Sequence, residues 1–149
     1  MAESRTVEAR KADVLASLEG QHAMWLATAD SMGRPHLIAV SPWWDGSDLV
    51  MATVATSRTA RNLAAGQEVR LAGGTPADAM VIDARVIETQ EAEKAPDVAA
   101  GFEKAMGWDP RQVGPGWAFF RLRPSRIQAF RGYEEIEGRD VMRNSRWLA

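Results

Sequence analysis

Between Thr53 and Leu63 the chain reads Thr-Val-Ala-Thr-Ser-Arg-Thr-Ala-Arg-Asn-Leu. Hydroxyls at Thr53, Thr56, Ser57 and Thr59 and guanidinium groups at Arg58 and Arg61 fall where an apolar run gives way to a helical period. The first backbone N–H groups of a helix are unpaired and its dipole is positive there, so such a junction attracts anions. Hydroxyls plus guanidinium at that point would hold a phosphate. The competing reading is a capped surface helix with solvated arginines, its cap being Thr56 or Ser57.

Other chemistries are poorly served. There is no Cys, which excludes disulfides, thiolate metal ligands and a Cys nucleophile. The two histidines, His22 and His36, leave little for a metal site or a Ser-His triad. Eighteen basic residues stand against twenty acidic ones, a balance with no general pull toward nucleic acid. No apolar run is long enough for a membrane helix, and the first ten residues are too polar for a signal peptide. The expectation is a cytoplasmic, single-domain chain over residues 1–149. Fifteen of the eighteen basic residues are Arg, which fits either composition bias or anion recognition. Six Trp imply flat surfaces to bury in a core, at a dimer interface or against a planar ligand.

The elements that position the hydroxyl–arginine junction follow from periodicity. Thr6–Leu18 reads as a helix with Val7, Val14, Leu15 and Leu18 on one face and Glu8, Arg10, Lys11 and Asp13 elsewhere. Strands are expected at 22–30, 36–44 (with an edge or bulge at Pro42) and 49–54, forming an antiparallel meander through an Asp45-Gly46 turn. A short helix over 57–65 follows, then strands at 68–72 and 79–89 with a loop over 73–76 and a bulge near Ile87. Residues 91–106 read as a helix delayed by Pro96, and 107–116 as a Gly/Pro loop. The last strands are 117–122 and 126–130, separated by Pro124, before a charged tail. So many short antiparallel strands with few helices imply a mainly β, closed or partly closed barrel.

In this order and spacing Gly33, Pro35, His36, Val40, Asp45, Gly46, Thr53, Ser57, Arg58, Ala60, Arg61, Asn62 and Leu63 form a recognisable series. It resembles the pyridoxamine-phosphate-oxidase-like flavin-binding split β-barrel family, and most of all the branch that uses the deazaflavin coenzyme F420. The likeness runs from about Ala23 to Val86, with a weaker echo from Trp117 onward. It implies a six- or seven-stranded antiparallel split β-barrel with short helices, homodimeric, with the cofactor at the subunit interface. It implies a cofactor, FMN or F420, whose phosphate is held by Thr53, Ser57, Arg58, Thr59 and Arg61. The ring would lie along the second strand, at His36, Ile38, Val40 and Ser41. Phe130 would stand where the family has a Trp, near the partner's cofactor. Thr59 departs from the family, which has Lys there. The Arg-x-His of the true oxidases is not found in the tail, so vitamin B6 oxidation is not implied. The function implied is a flavin- or deazaflavin-dependent oxidoreductase acting on a small conjugated or aromatic substrate. The alternative is a non-catalytic carrier of FMN, F420 or haem. No catalytic side chain and no metal ligand is assigned, because the cofactor would carry the chemistry.

Other residues have plainer readings. His36 is a half-exposed hydrogen-bonding strand residue. Trp43 and Trp44 face opposite sides of a sheet. Trp25 is core, Asp45 and Asp48 are turn residues, and Glu134, Glu135 and Glu137 form a solvated charge run. Trp108 and Trp117 pack in a core or interface, or bracket a substrate lid.

Overall fold

A computed structural model describes residues 3–66 and 68–149. Helix α1 (Val7–Glu19) is capped by Thr6, whose hydroxyl accepts the Ala9 N–H. There follow β1 (Met24–Ala29), β2 (Pro35–Val40), β3 (Trp43–Trp44), β4 (Leu49–Val54) and α2 (Arg58–Ala64). Then come β5 (Glu68–Thr75), β6 (Asp78–Glu91), a 3-10 turn (Ala92–Lys94), α3 (Pro96–Met106) and α4 (Pro110–Val113). Strand β7 (Trp117–Phe130), a second 3-10 turn (Tyr133–Glu135) and the hairpin β8 (Asp140–Arg143) and β9 (Arg146–Trp147) complete the chain.

The strands form one antiparallel sheet in the order β2-β1-β5-β6-β7-β4-β3, with β8 paired to β7 and β9 paired to β8. Alternation puts every second side chain on the inner face. One such row, Leu26–Leu71–Ile82–Ile127–Met142, crosses β1, β5, β6, β7 and β8 in register. All five are buried, and they form the main core with Leu49, Met51, Leu63 and Leu122. A second core lies on the outer face, where α3 covers β3, β4 and β7 through Phe102, Phe119, Val50 and Ala99. Gly101 lets α3 sit against Trp43, since a Cβ there would lie 2.7 Å from the indole Cη2.

The mainly β barrel-like architecture agrees with the sequence, with corrections in detail. The expected meander is absent, because β2 pairs with β1 while β3 and β4 pair at the opposite end of the sheet. Ser41-Pro42 carries the chain across that seam. Residues 73–75 extend β5 rather than looping. Gly74 (φ +74°) is the residue that must be Gly there, since a Cβ would lie 2.2 Å from the Asp78 carbonyl oxygen across the hairpin. Pro124 does not break β7; it sits at a register shift opposite Ala84, where a missing N–H is tolerated. The bulge expected near Ile87 is present between Val86 and Glu88. The 107–116 loop contains α4, and the charged tail contains β8 and β9. Trp25 is 56% exposed, not core. Arg10, assigned to the polar face, is buried; its Nη1 donates to the Ala129 carbonyl and its Nε has no partner among the described residues.

Charge in the tail is structural. Glu135 is buried and accepts the Arg5 N–H and guanidinium and the Arg131 N–H. The hydrogen bond from the Arg5 side chain is the main reason its pKa falls from 4.5 to about 2. The 45–48 turn likewise does more than turn the chain. Asp48 is buried and takes the Arg123 guanidinium at 3.0 and 3.1 Å, while Arg121 bonds Asp45.

Because Glu135 is more acidic folded than unfolded, its stabilisation is complete above about pH 4.5 and is lost as pH falls toward about 2. Glu135→Gln is expected to melt below wild type at pH 7, with the gap closing through that window; a pH-independent gap would count against the latch. Helix α2 is tied to β1 by the buried Asn62 amide, which donates to Thr28 Oγ1 at 3.0 Å. Asn62→Ala should cost about 1–3 kcal/mol in urea unfolding, and pairing it with Thr28→Val should show coupling.

Candidate functional site

The site grows from the end of β4. Thr53 is its penultimate residue, and Ser57 precedes the first residue of α2. The two hydroxyls lie 3.2 Å apart. Ser57 Oγ also accepts the Ala60 N–H at 3.1 Å, which makes Ser57 the helix cap. Whichever of the two hydroxyls donates to the other, one O–H remains for a ligand. Thr56 is exposed and stands outside this pair. Helix α2 is only seven residues long, so the attraction for an anion rests on hydroxyl, N–H and guanidinium groups rather than on a long dipole.

Arg58 and Arg61 are exposed, and among the described residues neither side chain makes a hydrogen bond or ion pair. With Asn62 and Ala65 they form one side of a groove of about 340 Å³, whose other side is the β1–β2 turn at Asp30, Ser31 and Arg34. Arg34 donates to Asp30 through its N–H at 2.9 Å and its Nε at 2.7 Å. These bonds hold the Asp30 carboxyl below its ordinary pKa. One carboxylate thus faces three guanidinium groups.

The remaining sequence candidates separate. Thr59 is buried on the opposite side of α2, where its hydroxyl meets His36 Nε2 at 3.2 Å. Its hydroxyl is engaged by His36, and Thr59 does not line the groove. His36 is half-buried and hydrogen-bonded, as its plain reading had it. Ile38 and Val40 share His36's face of β2 and pack against the main core, while Ser41 lies beyond the strand end and is exposed. Strand β2 is the edge of the sheet: it bonds β1 on one side, and among the described residues no strand pairs with its other side. Phe130 ends β7, opposite Ala79, with β6, β5 and β1 between it and β2. Within one chain it does not meet the hydroxyl pair. Sequence reasoning gave no role to Asn62 or Asp30. The Ala-Arg-Asn-Leu pattern contained Asn62, but nothing in its type distinguishes a helix anchor from a ligand contact.

On the far face of the same strand end, Trp117 pairs with Val54, and Ala55 N–H bonds the Gly116 carbonyl at 2.8 Å. Trp117 packs edge-on against Trp108 at 5.5 Å, and Trp108 against Phe102 at 5.3 Å. No helix of the described residues is long and apolar enough to cross a membrane, and they hold no cluster of His, Asp or Glu suited to a metal.

No curated protein matches the chain. Among solved structures, an F420 reductase superposes with a TM-score of 0.60 at 20% identity, over 75% of this chain and 93% of that one. The heme storage protein HutZ from Vibrio cholerae gives 0.63 at 18% identity, over 84% and 98%. ChuZ from Campylobacter jejuni gives 0.71 at 10% identity, over 92% of this chain and 60% of that one. At these identities the likeness is one of fold. A family model described as pyridoxamine 5'-phosphate oxidase matches residues 11–131, which include every element from the interior of α1 to the end of β7. The chain therefore belongs to the pyridoxamine 5'-phosphate oxidase family.

Proposed function

We propose that this chain is an oxidoreductase that binds a phosphate-bearing flavin or deazaflavin, and that F420 suits it better than FMN. The observation that carries the reading is the Thr53–Ser57 hydroxyl pair at the start of α2, directly followed in the chain by Arg58, which lines a groove with two further guanidinium groups and one carboxylate. The donor set fits a phosphate: one free hydroxyl proton, the unpaired N–H groups that open α2, and Arg58. Arg61, unpaired among the described residues, and the Nη groups of Arg34, whose Nε is taken by Asp30, extend the groove beyond Arg58 and suit an anionic extension; F420 carries an acidic tail beyond its phosphate.

The chain's own residues then bind and orient. Arg58 and Ser57 anchor the phosphate. The free edge of β2 offers backbone N–H and C=O groups to the hydrogen-bonding rim of a ring lying beside it. Thr59 holds His36 so that the rim meets a fixed side chain. Either cofactor supplies a ring that gives or takes hydride, which is why the site needs no acid–base pair of its own. The carrier alternative has the same binding geometry and differs only in turnover. A haem carrier would need an axial ligand, and of the two histidines His36 is already engaged by Thr59.

The dimer is part of this proposal. The outer face of β2, β1, β5 and β6 carries Leu37, Ala39, Trp25, Ala27, Ala72 and Val81 in adjacent register positions. Trp25 and Leu37 are 56% and 60% exposed. Beside the apolar stripe the charges cancel across strands, with Arg70 bonding Asp83 and Glu68 opposite Arg85. An apolar, charge-balanced face can meet a copy of itself without repulsion, as a twofold contact requires.

Titration of FMN and F420 side by side tests the ligand. Arg58→Ala should weaken both by about 1–3 kcal/mol. Arg34→Ala and Arg61→Ala should weaken F420 and leave FMN nearly unchanged. Failure of wild type to bind either, or equal losses for both ligands in every variant, would refute the assignment. Reoxidation of reduced F420 by an enone then separates enzyme from carrier. Trp25→Asp should convert a dimer to a monomer in analytical ultracentrifugation with its melting transition retained.

A further inference from the structure

Strand alternation at the end of β4 sends Thr53 to the hydroxyl pair and Val54 to the opposite face, beside Trp117. On that face a cavity of about 200 Å³ opens between Ala55, Gly116 and Trp117 on one side and Glu91, Glu93 and Lys94 on the other. It shares Ala55 with the loop that carries Ser57. We propose that this cavity binds a planar aromatic cation of one ring, and that Trp117 and Glu93 select it.

The indole is rigidly placed. Trp108 supports Trp117 edge-on at 76°, and the fully buried Phe102 supports Trp108 at 81°. Phe102 is in turn fixed by Phe119 and Trp43 at ring-centre separations of 5.4 and 6.5 Å. This succession of contacts accounts for the buried side of Trp117. Its other side lines the cavity. The backbone beneath is closed by the Ala55 N–H to Gly116 carbonyl bond, so the floor offers a ring surface rather than free amides. Such a floor favours a flat partner, and the negative face of the indole favours a positive one.

The rim charges point the same way. Lys94 and Glu91 pair at 2.6 Å and cancel each other. Glu93 makes no ion pair among the described residues, so the rim carries one uncompensated negative charge. Pockets for drug-sized molecules start near 300 Å³, so this volume suits one ring rather than the cofactor's three. The cavity lies on the face of β4 opposite the hydroxyl pair and stands as a binding site on its own geometry.

The probe is 1-methylnicotinamide, with the uncharged nicotinamide as control, titrated into the full-length protein without added cofactor and followed by saturation-transfer NMR. The cation should bind in the millimolar range and more tightly than the control. Glu93→Gln should weaken the cation about threefold, as expected for an exposed charge pair, and leave the control unchanged. Trp117→Leu should abolish both signals. Should that variant unfold, the Glu93→Gln comparison still decides. No saturation transfer at 10 mM probe, as an order-of-magnitude ceiling for cation–π sites, would overturn the proposal, as would equal binding of the two compounds to wild type. Glu93→Gln should leave F420 and FMN affinities intact, so a failed cofactor titration and a failed probe titration are separate results.

Discussion

Ser57 is asked to do two things at once. Its hydroxyl oxygen accepts the Ala60 N–H and so starts α2, and it lies within 3.2 Å of Thr53 at the end of β4. The first bond fixes the direction of the helix. The second fixes the helix start against the strand it leaves. Arg58 and Arg61 are placed by the helix, so their position beside the β1–β2 turn depends on this junction. The buried Asn62–Thr28 bond holds the far side of the same helix to β1. A seven-residue helix is too short to be stable alone; two side-chain bonds and the burial of Leu63 and Ala60 hold it.

Much of this was legible in the sequence because it is local. The strand at 49–54, a cap at Thr56 or Ser57 and the short helix after it depend on residues within a few positions of one another; the structure has the strand there, takes Ser57 as the cap and runs the helix over Arg58–Ala64. The family likeness was legible because the series from Gly33 to Leu63 keeps order and spacing. What was misread depends on residues far along the chain. Trp25 looks like core by type, but its register opposite Ala39 and Ala72 puts it on the outer face. Pro124 looks like a break until the register shift beside it, with Ser125 as the extra residue against β6, removes the need for its N–H. Glu135 looks like part of a solvated run until Arg5, from the start of the chain, bonds to it. Thr59 looks like a fourth hydroxyl for the phosphate until His36, from another strand, engages it.

Arg10 and Glu135 make a useful contrast in buried charge. Glu135 is satisfied by three groups, and the Arg5 side-chain hydrogen bond foremost among them outweighs the cost of burial, as its lowered pKa records. Arg10 is buried with one long bond of 3.4 Å and an unpartnered Nε. A buried guanidinium so poorly matched stabilises little, and an apolar side chain of similar length is often as good at such a place. The α1–β7 contact must therefore rest on Val14 and Leu18, both in the main core, with Arg10 acting mainly through its methylenes.

The outer face of the sheet divides into two parts, and the division explains where chemistry can occur. Over β3, β4 and the first half of β7, α3 supplies Phe102 and Ala99, and a second core forms. Over β2, β1, β5 and β6 no helix of the described residues lies on the face, and Trp25 and Leu37 remain exposed. A sheet buried on one part and bare on the next has one boundary along each edge. The free edge of β2 lies at the bare side; the end of β4, with Thr53 toward one face and Val54 toward the other, lies at the covered side. A ligand anchored at Ser57 and reaching toward β2 would therefore run along the seam that Ser41-Pro42 crosses. A second copy laid on the bare stripe would wall that seam from outside. Under the proposed function, a dry site would then need no extra domain, because the exposed half of a second copy's sheet would supply the cover that this chain alone lacks.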